Sequence, residues 1–130
     1  MHTRIKAVSK FNLAPRGFGR TSYRLSEIIQ IGRIPVYLFD DYKWVPYAKS
    51  NISVDNFGFV TDKNGIGSTF RGMKAMKDEE FARRMRAVEA AREYYTYPGL
   101  LRQLGLFFLD PFGPASLLSC NDQAMDRDHR

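Results

Sequence analysis

The chain has one cysteine, Cys120, and two histidines, His2 and His129, which sit at its extremities. A single cysteine excludes an internal disulfide and carries no information about compartment. With no histidine between those two, the body of the chain lacks the commonest general base. No apolar run reaches the roughly 18 residues of a membrane-spanning helix. The longest candidate, Leu100 to Leu109, is interrupted by Arg102, Gln103 and Gly105. Met1-His2-Thr3-Arg4 has no apolar stretch behind it, so it does not read as a signal peptide. Internal repeats and low-complexity tracts are absent as well.

What remains is the composition of a globular domain or part of one. The 130 residues are 44% hydrophobic and 26% charged, enough apolar material for a buried core. The net charge of +6 is unevenly placed. Residues 1–49 hold nine lysines and arginines against three acids, Glu27, Asp40 and Asp41, and so carry an excess equal to the whole net charge. A basic first third suits an anionic partner such as a phosphate, a nucleic acid or an acidic glycan. A solubilising surface is the alternative.

Phe11 to Ala14 reads as a short strand stopped by Pro15, followed by a Gly/Arg loop from Arg16 to Ser22. Leu25, Ile28, Ile29 and Gly32 fall at i, i+3, i+4 and i+7, the spacing of one buried helix face, with Gly32 placed to end the helix. Ile34 to Phe39 is a mostly apolar run of strand length, as in a buried parallel strand. Strand, loop, helix and strand make one βαβ unit. Farther on, Phe57 to Val60 reads as another strand, and Asp62-Lys63-Asn64-Gly65 as a turn. A helix is predicted from Asp78 to about Tyr95, its acidic start suited to the helix dipole, and another from about Gly99 to Phe108 with Pro98 near its start. The expected organisation is a folded part over 1–109 and a poorly ordered tail over 110–130.

The segment from Pro15 to Glu27 carries the chemistry. A loop that leaves a strand and enters a helix aims unpaired backbone N–H groups beyond the strand's carboxyl end. Gly17 and Gly19 allow close approach of a ligand to that backbone and tolerate unusual dihedrals. Thr21 or Ser22 can cap the helix or donate a hydroxyl. Arg16, Arg20 and Arg24 supply charges that can fork onto phosphate oxygens. Arg24 and Glu27, three residues apart, lie about 60° from each other around the helix and off its apolar face. A cation near a pyrophosphate with a carboxylate a turn further on can hold a nucleotide. The same residues also fit a Gly-rich turn with exposed arginines and a surface Arg24–Glu27 pair. Gly17-x-Gly19 is too short for a dinucleotide fingerprint, and no Walker lysine follows.

Ser9-Lys10-Phe11-x-Leu13-x-Pro15-Arg16-Gly17, then Ser22-x-Arg24-Leu25-x-Glu27, then Gly32-x-Ile34-Pro35-Val36, is similar to the C-terminal signature of the exostosin family of glycosyltransferases. Asp40/Asp41, Trp44 and Pro46-Tyr47 resemble the aspartate and proline-aromatic residues that follow it. The resemblance is specific over residues 9–47, looser through Arg92, and absent in the tail. It implies an α/β fold, a Rossmann-like C-terminal lobe of the two-lobed GT-B architecture, here incomplete. That lobe binds the nucleotide-sugar donor, with a UDP-sugar as the expected donor and a glycan hydroxyl as the acceptor. Arg16, Gly17, Ser22, Arg24 and Glu27 would line the donor site. Arg16 and Arg24 would neutralise the departing diphosphate, and Glu27 would bind the nucleoside sugar. Fixed positive side chains in this role imply that no metal is needed. Lys10 and Arg20 are secondary candidates, and Phe18 packs. The resemblance further implies a Golgi enzyme whose N-terminal lobe, carrying acceptor contacts and a base, would precede Met1. This chain would then be a fragment, inactive by itself.

Other signals have two readings each. Asp40-Asp41 could contact substrate or simply form an exposed acidic turn. Trp44 could present its indole to a sugar or pack in the core. Asn51-Ile52-Ser53 is a glycosylation sequon or a chance match. Arg83, Arg84, Arg86 and Arg92 could meet an anionic glycan, or form the solvated face of a helix that also carries Glu79, Glu80, Glu89 and Glu93. The tyrosines and phenylalanines read mostly as core.

Two further functional classes fit parts of the chain. Arg16-Gly17-Phe18-Gly19 and Phe57-Gly58-Phe59-Val60 each match part of an RNA-binding consensus, although neither completes it and neither has the companion strand upstream. Nucleic acid is therefore not the expected partner. A non-catalytic lobe that pairs with an active glycosyltransferase subunit would look the same at the donor-site positions.

Overall fold

The computed structural model of the chain describes residues 8–19 and 21–110. The expectation of a disordered tail falls on residues outside that range from 111 onward, as does the candidate Arg20. The elements, in order, are β1 (Phe11–Pro15), α1 (Tyr23–Gln30), β2 (Ile34–Leu38), the single turn α2 (Val54–Phe57), β3 (Phe59–Thr61), α3 (Ile66–Lys74), α4 (Asp78–Ala91), a 3-10 turn (Arg92–Tyr95) and α5 (Tyr97–Leu109).

The three strands form a parallel sheet in the order β1-β2-β3. Phe11 stands opposite Ile34 and Pro15 opposite Leu38, while Val36 pairs with Phe59 and Leu38 with Thr61. Pro35 donates no backbone hydrogen bond, and it lies one residue ahead of the point where β3 begins to pair. The mixed α/β class and the βαβ unit expected from the sequence are therefore present.

Helix α1 buries Leu25, Ile28 and Ile29, as its periodicity requires. It ends in a Schellman motif: Gly32 N–H donates to Ile29 O over 2.9 Å and Arg33 N–H to Ile28 O over 3.0 Å. Gly32 takes the left-handed φ of 67° that this motif needs. The last turn of α1 also receives a cation, because Arg92 Nε donates to Gln30 O over 2.7 Å. Arg92, read from the sequence as part of a solvated basic face, thus holds the end of α1 to the 3-10 turn.

The core joins α1, β2, the segment 45–57 and α4 through residues that include Ile34, Tyr37, Val54, Phe57 and Val88, all fully or almost fully buried. Each such side chain contributes about 1.5–3 kcal/mol of hydrophobic stabilisation. An aromatic ladder extends this core. Tyr47 meets Tyr95 edge-on at 5.4 Å between centroids, and Tyr95 meets Phe57 at 6.4 Å. On another side, Phe11 contacts the edges of both Phe59 and Phe81, and the Arg84 guanidinium lies 4.5 Å from the Phe59 ring centre.

Three expectations need revision, and one helix is additional. The strand expected at Phe57 begins at Phe59, because Ser53 accepts from Asp55 N–H and starts the one-turn helix α2 that contains Phe57. The helix expected over 78–95 tightens into a 3-10 turn from Arg92. The last helix begins at Tyr97, capped by Thr96, two residues ahead of Gly99. Helix α3 had no counterpart in the sequence reading; it buries no residue fully.

Candidate functional site

All three strands point their carboxyl ends the same way, so the segments that leave them gather at one edge of the sheet. These are the loop from Arg16 to Ser22, the segment from Phe39 to Trp44, and the turn after Thr61. The ladder extends into them: Arg16 N–H donates to Leu38 O over 2.9 Å and Phe39 N–H to Thr61 O over 3.0 Å. Crevices at this edge are where open α/β sheets bind ligands.

The Gly/Arg loop folds back on itself, with Gly17 N–H donating to Thr21 O over 3.2 Å. Neither Gly17 nor Gly19 takes a left-handed φ, which removes the unusual-dihedral reading of these glycines. A Cβ on Gly17 would make only an ordinary 3.6 Å contact, and one on Gly19 would meet nothing within 4 Å. The loop therefore presents bare backbone at the sheet edge without needing glycine for its own geometry. Phe18 is fully exposed, contrary to the expectation that it packs.

Ser22 is the extended N-cap residue of α1, but its hydroxyl makes no capping hydrogen bond. Leu25 N–H donates to Ser22 O over 3.0 Å, which leaves the N–H groups of Tyr23 and Arg24 without an acceptor within the helix or from a cap side chain. Arg24 and Glu27 both lie exposed on α1. Lys10 is not at this edge; its ammonium lies 5.1 Å from the Phe81 ring centre, beside the start of β1.

Arg16 is held by acids. Its guanidinium lies 2.8 Å from Asp40 Oδ1 and in direct contact with Asp41 Oδ1. The Tyr42 N–H, and then the Arg16 guanidinium, hold the Asp41 carboxyl below its usual range; the same contact raises Arg16. Asp40 and Asp41 are exposed, as the acidic-turn reading expects, yet they are engaged with a basic residue 24 and 25 positions away.

A cavity of about 680 Å³ opens beside this edge. Tyr23, Ser26 and Gln30, at i, i+3 and i+7 of α1, form one wall. Trp44, Tyr47 and the 3-10 turn at Tyr94–Tyr95 form the other. Ser22 and Trp44 line it, so the structure brings these two candidates together. Arg24 and Glu27 are not on its wall. At about 100° per residue they lie roughly 100° and 40° around α1 from Tyr23, away from Ser26. Arg16, Gly17, Asp40 and Asp41 also lie outside the cavity lining.

The cavity is not legible in the sequence, since three stretches far apart along the chain, 21–30, 44–48 and 94–104, build it. Its rear wall depends on Tyr47, the one non-glycine described residue with a positive φ, 57°. Its hydroxyl donates to Tyr94 O over 2.9 Å, and burial pushes its phenol up. A bulky residue with that φ is strained and needs such anchoring.

The remaining candidates have structural roles or open surroundings. Asn51 is exposed, but Ser53 of the same sequon is buried and caps α2. Of the partial RNA-binding match, Phe57 is fully buried and Phe59 lies beneath Arg84, so neither ring is presented for base stacking. Arg83 and Arg84 both bind Glu80, and Arg84 Nη1 also donates to Gly58 O over 2.6 Å. Among the described residues, no group of three or more metal-ligating side chains comes together, and no helix is long and apolar enough to cross a membrane.

No protein-family model, curated protein or solved structure matches this chain.

Proposed function

We propose that the chain is the donor-binding part of a glycosyltransferase that moves a sugar from a nucleoside-diphosphate sugar, with UDP as the leaving group, to a glycan hydroxyl. The observation that carries this reading is the arrangement at α1. An uncapped helix N-terminus follows a glycine loop at the carboxyl edge of a parallel sheet, and Arg24 and Glu27 stand exposed on the same helix. Helix N-termini attract phosphate through their unpaired N–H groups and dipole. Arg24 adds a guanidinium that can fork onto phosphate oxygens, and Glu27 can accept from ribose hydroxyls. Charge held in place before the bond to the sugar breaks lowers the barrier to diphosphate departure.

The similarity of residues 9–47 to the exostosin signature supports the same reading, and through it a Rossmann-like GT-B donor lobe that works in the Golgi. Acceptor contacts and a base would come from a second lobe. The chain by itself binds the donor and does not turn it over. Calorimetric titration of the folded chain with UDP, uridine and inorganic pyrophosphate tests this. UDP should bind more tightly than either half, and equal failure of all three to bind would refute the reading.

A further inference from the structure

The arginine that leaves β1 already has two anionic partners, and each of these also accepts from a main-chain N–H. Asp40 Oδ1 accepts from Asp41 N–H over 3.1 Å, and Asp41 Oδ1 accepts from Tyr42 N–H over 2.7 Å. Each carboxylate at the end of β2 thus has a main-chain donor of its own besides Arg16. The Arg16 main chain is pinned in turn by its N–H bond to Leu38 O, so only its long side chain is free to swing. Its side chain is one-quarter exposed, and the two acidic side chains are more than half exposed. An ion pair this open to water is screened and exchanges readily. The three groups together carry one net negative charge, beside the loop and helix start where a phosphate would settle.

We propose that Asp40 and Asp41 act as a latch on Arg16, competing with ligand phosphate so that Arg16 joins the site only when a diphosphate displaces the carboxylates. This inference rests on the donor-binding reading above. It makes the two aspartates positioning residues that act through Arg16. It also divides the arginines by role: Arg24, which has no ion pair with a described residue, meets the phosphates directly, whereas Arg16 is recruited by charge. Once the diphosphate leaves, the carboxylates recapture the guanidinium, which speeds release of a product that two arginines would otherwise retain.

The test is a thermodynamic cycle on UDP affinity at low salt, using the full chain as wild type, Asp41→Asn, Arg16→Gln and the double variant. Asp40→Asn serves as the second probe of the latch, and circular dichroism confirms folding of each variant. Asp41→Asn should bind UDP about threefold more tightly or better, as expected when one exposed competing charge is removed. That gain should vanish in the Arg16→Gln background, and uridine, which brings no phosphate, should show no gain. Unchanged or weaker UDP binding by both asparagine variants overturns the latch, as does a gain that survives Arg16→Gln. If UDP binding by the wild type is lost on removing Arg24 yet is indifferent to Asp41, the latch alone falls. If the folded wild type binds no UDP, the donor-site reading falls and the latch with it.

Discussion

The Tyr95 hydroxyl donates to the Ile52 carbonyl over 3.1 Å, joining the 3-10 turn to the segment ahead of α2 across 43 residues. Both partners are buried, and burial raises the Tyr95 phenol far above its usual range. Tyr95 also contacts Tyr47 and Phe57, and its carbonyl accepts from Gln30 Nε2 over 2.9 Å. Through its carbonyl Tyr95 holds the end of α1, and through its side chain it joins the cavity wall to the core. Tyr95→Phe keeps the ring but leaves the Ile52 carbonyl unpaired, and should cost about 1–2 kcal/mol in denaturant unfolding. A change below a few tenths would mean that water replaces the hydroxyl and that this bond does not hold the segments.

The glycines divide into those the fold requires and those it does not. A Cβ on Gly99 would fall 2.0 Å from Glu93 O, which only a backbone shift could relieve. Gly99→Ala should therefore destabilise by on the order of 2 kcal/mol. Gly32→Ala, strained at its positive φ, should cost about 1 kcal/mol. Gly17→Ala should stay within about 0.5 kcal/mol, since the added methyl meets only ordinary contacts. If Gly17 leaves its backbone bare for phosphate, the same variant should weaken UDP binding while its unfolding midpoint stays put. Loss of stability in place of affinity would make it an ordinary turn glycine.

Glu80 supplies an acid-sensitive tie. Its bonds to Arg83, and secondarily to Arg84, lower its pKa from 4.5 to about 2. A carboxylate with a depressed folded pKa contributes stability above its unfolded pKa and loses that contribution as pH falls through the folded value. The loss should run from about 4.5 down to about 2. Unfolding midpoints measured across that range should fall less steeply in Glu80→Gln than in the wild type. Parallel curves would show that solvent screening leaves this pair without effect.

The parts of the fold that were legible are those where one residue pattern decides the outcome. Leu25, Ile28 and Ile29 define the buried face of α1, Gly32 its end, and the apolar run from Ile34 the central strand. Helix α3 is not legible because Ile66 to Lys74 includes Gly67, Ser68, Thr69 and Gly72, which are poor helix formers, and buries no residue fully. Its start could have been suspected from Asp62, whose carboxylate accepts from Asn64 and Gly65 N–H groups. Ser53-x-Asp55 was the available signal for α2. At the site, the exposed positions of Arg24 and Glu27 follow from helix geometry alone. The engagement of Arg16 by Asp40 and Asp41 does not, because it depends on the register of two parallel strands.

On the proposed function, α1 and the loop before it hold a nucleoside diphosphate. Calorimetric titration of UDP into the folded wild type and into the Arg24→Ala, Glu27→Ala double variant addresses it most directly. Both side chains are exposed, so the variant should keep its circular dichroism spectrum and unfolding midpoint within about 0.5 kcal/mol of the wild type. Saturable binding to the wild type and none to the folded variant is the expected result. Equal binding to both would move the nucleotide away from α1, and no binding to either would contradict the account of this chain as a donor-binding unit.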